Sequence, residues 1–393
     1  MKTETNRIQK EFNDYWKNEG FLEFSPISVI SPPKSSNVLF TGSGFFHHLK
    51  KIGEEGYLKN SFVGTQPCVK FGFKGLSLSE MKARDGYFTF FRQLSCAVQF
   101  ELSLEWLVNK VWYYLTQISG LNKQKLHVGV NRCNPEMKNY WIRAGAKPEN
   151  VLFPDYSAMN FSISNLDLEA YYHPFAYDRG KDHILSCGKE SCGINCNCER
   201  FLELGDIGIV RIGKVYFFDH GIGLERISSA CLGLEKVTDI HEFLELSYFI
   251  SSFYSVSWDY SLLLSDYLRT VLVLIDAGLT PSNKKQGYGL RNLLRQFFEI
   301  VPSKKLNETS LRFVSRRITE SVGDIHSTSV EMTTEIMLSE YVNYQRLLKQ
   351  GTKLLKRFIQ KHGRRTLAEE EKEYFYQTHG LTYEVLQKII AEL

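Results

Sequence analysis

The stretch that most constrains the fold is Phe217-Phe218-Asp219-His220-Gly221-Ile222-Gly223-Leu224-Glu225-Arg226. An aromatic run gives way to two glycines one residue apart, then to an amphipathic segment ending in arginine, which predicts a strand, a turn and a helix. Glycine at both positions lets backbone approach a flat ligand closely and admits φ values that a Cβ forbids. Arg226, one turn into the helix, can lie over an aromatic base or meet a phosphate.

With 393 residues and 43% hydrophobic content, the chain can build two domains or one large domain with a satellite. Its formal charge of +4 is mild, so any nucleic-acid contact has to come from a local patch. No apolar run approaches the roughly 20 residues of a membrane helix. The N-terminus from Lys2 to Lys10 is polar, so the expectation is a cytoplasmic protein with no membrane partner. Four of the eight cysteines, Cys187, Cys192, Cys196 and Cys198, are crowded together. Four thiolates within reach of one ion suit tetrahedral zinc in a closed, structural site.

Ile8, Phe12, Tyr15 and Trp16 recur at helical spacing, with Gly20 as a stop signal. Phe21 to Ile30 reads as a strand ended by Ser31-Pro32-Pro33, and Val38 to Gly44 as a strand end with a tight turn. Ser61 to Lys70 and Tyr87 to Val98 form a predicted hairpin around a basic loop, followed by helices over 97–115 and 136–141 with a strand near 126–130 between them. Beyond Asp239 the pattern is helical, with apolar faces over 265–275, 290–298, 334–348 and 383–393, which puts a domain boundary near Val237. Between Lys284 and Arg317 nine cations face two glutamates, a candidate phosphate-backbone patch that includes Arg291 and Arg295.

The corner around Arg226 resembles the third signature of class II aminoacyl-tRNA synthetases in the form carried by the alanyl-tRNA synthetases. Gly64 to Lys70 with Thr89-Phe90-Phe91 resembles the second signature, and Asp276 to Asn283 with Gly287 to Arg291 resembles the family's tRNA-reading helices. The resemblance implies an α+β fold: an antiparallel sheet flanked by helices over 1–237, which activates an amino acid with ATP and Mg²⁺, then an all-α tRNA-recognition region over 238–393. It implies Lys70 and Arg226 as catalytic groups. Lys70, Lys74, Phe90, Phe91, Gly221, Gly223 and Arg226 would hold ATP. Ser162, Asp206, Gly208, Asp219 and Gly221 would hold the amino acid, and Asn283, Arg291, Arg295 and Gln377 the tRNA acceptor stem. The four clustered cysteines match a cysteine-rich insert of some members.

Several positions depart from the family. Lys70 stands for an arginine, a point charge in place of a bidentate fork. Arg92 replaces a glutamate, Asp206 an asparagine, Gly208 a valine, Ser162 a tryptophan and Gln377 an aspartate. Lost bulk at Ser162 and Gly208, with two carboxylates nearby, predicts a substrate larger or more cationic than alanine. The chain stops at Leu393, so proofreading in cis is not expected. The leading expectation is an alanyl-tRNA-synthetase-like ligase. The alternatives are a biosynthetic paralogue that passes the activated amino acid to a small molecule or carrier, and a non-catalytic protein that binds tRNA or amino acid. The sequence leaves the oligomeric state open.

Overall fold

The computed structural model describes residues 4–30, 38–46, 48–49, 59–71, 77, 79–80, 85–154, 159–164, 167–180, 192–194, 196, 200–323, 328–379 and 381–391. Among them, one mixed sheet organises the first part of the chain. Its strands are β1 (Leu22–Glu23), β2 (Phe62–Val69), β3 (Phe90–Gln99), β4 (Leu126–Gly129), β5 (Val151–Leu152), β6 (Asn160–Ile163), β7 (Leu168–Asp178), β8 (Phe201–Ile212) and β9 (Val215–Gly223). They run in the order β1-β2-β3-β9-β8-β7-β4-β5, with β6 also beside β7. Only β1–β2 and β4–β5 pair in parallel; the central ladders are antiparallel.

Cross-strand partners share a face of a pleated sheet, so the register sorts the residues. The back face carries Leu94, Cys96, Phe218, His220, Ile222 and Ile207 against α1 (Glu4–Asn18), α2 (Leu104–Tyr113) and α4 (Leu224–Cys231). The N-terminal helix forms as its spacing predicts, burying Ile8, Phe12 and Trp16. The front face carries a second cluster that includes Phe45, Phe62, Ala97, Ala170, Val210 and Phe217. The acidic and glycine positions of the candidate site lie on this face.

Past residue 237 the chain is helical: α5 (His241–Tyr254), α6 (Trp258–Asp276), α7 (Lys285–Ile300), α8 (Glu308–Val322), α9 (Val330–His362), α10 (Glu369–His379) and α11 (Tyr383–Ala391) follow the short α3 (Met137–Ala144) of the sheet region. One apolar cluster runs from Phe12 through Phe90 and Leu94 into Phe243, Leu268 and Phe297, crossing the expected boundary at Val237. The Asp266 and Arg269 side chains, both fully buried, join the two sides. Asp266 accepts bonds from the Thr89 N–H at 3.0 Å and the Thr89 hydroxyl at 2.8 Å, while Arg269 stacks between Phe90 and Phe243 and lies 3.8 Å from Glu225. A satellite cluster of Leu355, Phe375, Leu381 and Leu386 packs the last two helices on α9.

Three predicted elements differ. Of Phe21 to Ile30 only Leu22–Glu23 is strand. Pro26 lacks an N–H, and the Gln66 side chain takes the place of a neighbouring strand, accepting from the Ile27 N–H and donating to its carbonyl. The segment over 38–44 forms no strand. Thr41 alone bridges, donating to the Val29 carbonyl and accepting from the Val69 N–H. The helix expected over 97–115 begins only at Leu104, where the Ser103 hydroxyl caps the Trp106 N–H, because β3 continues to Gln99.

Candidate active site

The β9 strand runs straight into α4 with Gly223 as its cap, so no turn separates them. Neither Gly221 nor Gly223 has positive φ. Their lack of a Cβ serves close approach: one on Gly221 would lie 2.0 Å from Gln93 Nε2, and one on Gly223 3.3 Å from the Arg226 side chain. Arg226 therefore folds back over Gly223. Its Nε donates to the Gly86 carbonyl at 3.1 Å and its Nη1 to the Glu203 carbonyl at 3.1 Å, while its guanidinium plane lies 4.8 Å from the Tyr87 ring centre. Tyr87 is exposed. Bound by its edge and stacked on its face, the guanidinium is held for planar ligands.

Asp206 and Asp219 are diagonal neighbours across the β8–β9 ladder, with Asp206 opposite Gly221 and Asp219 opposite Gly208. Burial pushes the Asp219 carboxyl up to about 7, against the opposing effect of the Tyr172 hydroxyl that donates to its Oδ2 at 3.3 Å. Burial, then the charges of Asp219 and Glu203, holds Asp206 well above the usual carboxylate range, and Arg226 and Lys70 oppose that rise. Asp219 is 3% exposed, and its Oδ1 has no hydrogen-bond partner. The His48 Nε2 lies 3.7 Å from that oxygen and 3.0 Å from the Ser95 hydroxyl. An unpartnered buried acceptor in an acid pair is a place for a cationic donor.

The register corrects three assignments. Ser162 pairs with Glu169 on β7, on the face opposite Tyr172, Gly208 and Asp219. The front-facing aromatic is its neighbour Phe161, whose ring meets Phe45 at 6.5 Å; in a strand one residue changes face. Phe90 is fully buried on the back face under Arg269, so only Phe91 of the pair faces the cleft side. The volume opened by Gly208 is also taken up, since a Cβ there would lie 2.5 Å from Tyr172 Cε1. The tyrosine fills the space left by the missing valine, so the enlarged pocket expected from Gly208 is closed.

Arg92 points to the back face, where its Nε donates to Glu225 at 3.0 Å, and it leaves the cleft side clear. Lys70 lies exposed at the end of β2, while Lys74, Cys187 and Cys198 fall outside the described residues. Cys192 and Cys196 flank Ile194, which packs on Ala176 and Phe201. Among the described residues no group of three or more His, Cys, Asp or Glu is placed to hold a metal.

On the helical side, Arg291 and Arg295 lie mostly buried and both meet the buried Glu340, at 3.2 and 3.0 Å. Arg291 also donates to Asn283. These arginines therefore serve as posts that fix α7 to α9 and orient Asn283, with one of their two charges balanced by Glu340. Of Gln377 the structure gives its place on α10. Within the remaining basic stretch, Arg312 meets Glu308 and Glu331, Arg317 meets Glu320, and Lys305 donates to the Phe253 carbonyl.

The profile of the tRNA synthetases class II (A) matches residues 7–393. The chain belongs to that family. An alanine–tRNA ligase of Thermoanaerobacter sp. (strain X514) is 24% identical over 417 residues, covering 98% of this chain and 46% of its own length. One from Nitratidesulfovibrio vulgaris is 24% identical over 374 residues, 89% of this chain and 42% of its own length. The chain thus spans about half the length of the curated relatives it matches. Among solved structures, apo histidyl-tRNA synthetase of S. aureus aligns at 10% identity with a TM-score of 0.36, over 60% of this chain and 67% of that one. Within the family, the sheet with its glycine-spaced corner and the helices that follow agree with the α+β expectation.

Proposed function

We propose that the chain is an alanyl-tRNA-synthetase-like ligase that activates a small α-amino acid with ATP and passes it to a tRNA acceptor end. The observation that carries this reading is the buried Asp219 Oδ1, which accepts no hydrogen bond, beside Asp206 and on the same sheet face as the stacked Arg226. Asp219 and Asp206 bind the substrate ammonium, whose charge draws both carboxyls back to their ionised forms. The Gln93 amide lies over Gly221 between them, and Tyr172 over Gly208 limits the side chain to about the size of alanine. Phe91 and Arg226 bracket the adenine ring. Lys70 and Lys74 meet the phosphates.

In the activation step a substrate carboxylate oxygen attacks the α-phosphorus and pyrophosphate leaves, so the site has to spread developing negative charge in line with the attack. Lys70 at the strand end and Arg226 at the helix start supply fixed positive charge on one side of the acid pair. Mg²⁺, when bound, neutralises the polyphosphate. The 1–237 region would then be the activating unit and 238–393 the unit that presents the acceptor end, with Asn283 held by Arg291 at the reading position and Gln377 on α10.

A second reading changes the acceptor to a small molecule or carrier, and is favoured by the engagement of both Arg291 and Arg295 with the buried Glu340. Exchange of labelled pyrophosphate into ATP, over a panel of amino acids, tests activation. Adding total tRNA and measuring aminoacyl-tRNA separates the two acceptors. Exchange with no amino acid at all refutes both readings and leaves a binding protein.

A further inference from the structure

The C-terminal two-thirds of α9 carry a cationic face that the motif comparison does not single out. Residues 341–368 hold eight of the 48 lysines and arginines and none of the 44 aspartates and glutamates, so the remainder of the chain has more acid than base. Arg346, Lys349, Lys353, Lys356, Arg357 and Lys361 fall within an arc of about 140° at 100° per residue. All six are exposed. The opposite side of the helix is buried: Gly351 lies under Leu381, where a Cβ would meet the leucine at 2.9 Å, and Leu355 is fully covered by the satellite cluster.

A solvated helix face looks different in this same molecule. On α1 each cation meets an acid three or four residues away, as in Arg7–Glu11, Lys10–Asp14 and Lys17–Asp14. On α9, none of Lys349, Lys353, Lys356, Arg357 and Lys361 has an ion pair among the described residues. From Lys349 to Lys361 the helix advances about 18 Å, a length over which one strand of a duplex carries about five phosphates. The face starts about 9 Å along the axis from Glu340, which fixes Arg291 and through it Asn283.

The geometry points to the outer face of α9 as a docking strip for the phosphate backbone of double-helical RNA, continuous with the position of Asn283. This inference rests on the reading that the acceptor is a tRNA, and replaces the 284–317 stretch as the main electrostatic contact. The strip positions a duplex by charge and reads no sequence.

The test is fluorescence anisotropy of a labelled RNA hairpin duplex against salt, with the wild-type chain and a Lys349→Gln/Lys353→Gln/Lys356→Gln variant. Each phosphate contact adds about 0.9 to the slope of log K on log salt. The variant is expected to bind roughly 10²-fold more weakly at about 50 mM salt and to lose about three units of slope. Its amino-acid-dependent pyrophosphate exchange and melting temperature stay at wild-type values. Equal affinity and slope in the two proteins overturn the strip while leaving the ligase reading in place. Wild-type binding to anionic phosphatidylserine vesicles without binding to the duplex overturns it too. Loss of the slope in a protein that shows no exchange sinks the ligase reading and keeps the strip.

Discussion

Tyr172→Ala asks directly what closes the amino-acid pocket. The ring covers Gly208, donates to Asp219 at 3.3 Å and borders the front-face cluster. It is only partly buried, so its truncation costs less than the ~3–5 kcal/mol of a fully buried aromatic. The chain should stay folded. The vacated space admits a longer side chain, and each methylene buried in such a pocket is worth ~1–3 kcal/mol. Valine has two more carbons than alanine, so the ratio of kcat/KM for valine over alanine in pyrophosphate exchange should rise by roughly 30-fold or more, taking ~1 kcal/mol per carbon. Gly208→Ala supplies the reverse perturbation, since its Cβ would sit 2.5 Å from the ring and overpack by ~1–3 kcal/mol. In the double variant that clash disappears, so thermal melts should show a coupling of about 1 kcal/mol or more. An unchanged valine-to-alanine ratio in Tyr172→Ala, together with strictly additive melts, would refute the argument that this ring sets the pocket.

Other outcomes follow from the same contacts. Glu225→Ala strips the buried Arg92 and Arg269 of their shared carboxylate and should destabilise by ~3–5 kcal/mol in denaturant melts, whereas a loss below 1 kcal/mol would mean that the pairs are solvated. Asp219 titrates near 7 because it is buried; folding takes up a proton there, so its stabilising contribution is full below the ordinary carboxylate pKa and is lost as pH rises through about 7. Amino-acid binding runs the other way, because the ammonium needs the ionised carboxylate: KM for the amino acid should fall as pH rises through about 7, and Asp219→Asn should flatten that limb. If Cys187, Cys192, Cys196 and Cys198 share one zinc, metal analysis returns about one zinc per chain, and a content far below that excludes the site.

The sequence exposed the parts whose signal is local. The first helix, the hairpin of β2 and β3, and the strand and helix around Gly223 are written in spacing of three to four residues or two, and all three are present. The errors come from long-range terms. Ser162 and Phe90 were assigned to the site by alignment, yet strand parity sends Phe161 and Phe91 to the front face instead. Counting by twos from Asp219 through the ladder could have shown this had the pairing been known. Arg92 replaces a family glutamate, and its partner lies 133 residues away, beyond the reach of any local pattern. Arg291 and Arg295 looked free because Glu340 lies on another helix. Tyr172 and Gly208 lie 36 residues apart, and only the β7–β8 register puts the two in contact. The role of Asp266 and Arg269 as a clamp on Thr89 and Phe90 depends on packing that no local pattern reports.

The most direct test of the central claim is pyrophosphate exchange into ATP with alanine, comparing the wild type with Asp219→Asn. The acid pair predicts exchange that depends on alanine in the wild type, with kcat/KM for alanine reduced by at least ~10²-fold when the buried carboxylate is replaced, the equivalent of about 3 kcal/mol. Alanine-dependent exchange of equal efficiency in the two proteins, or wild-type exchange with no amino acid in the panel, would contradict it.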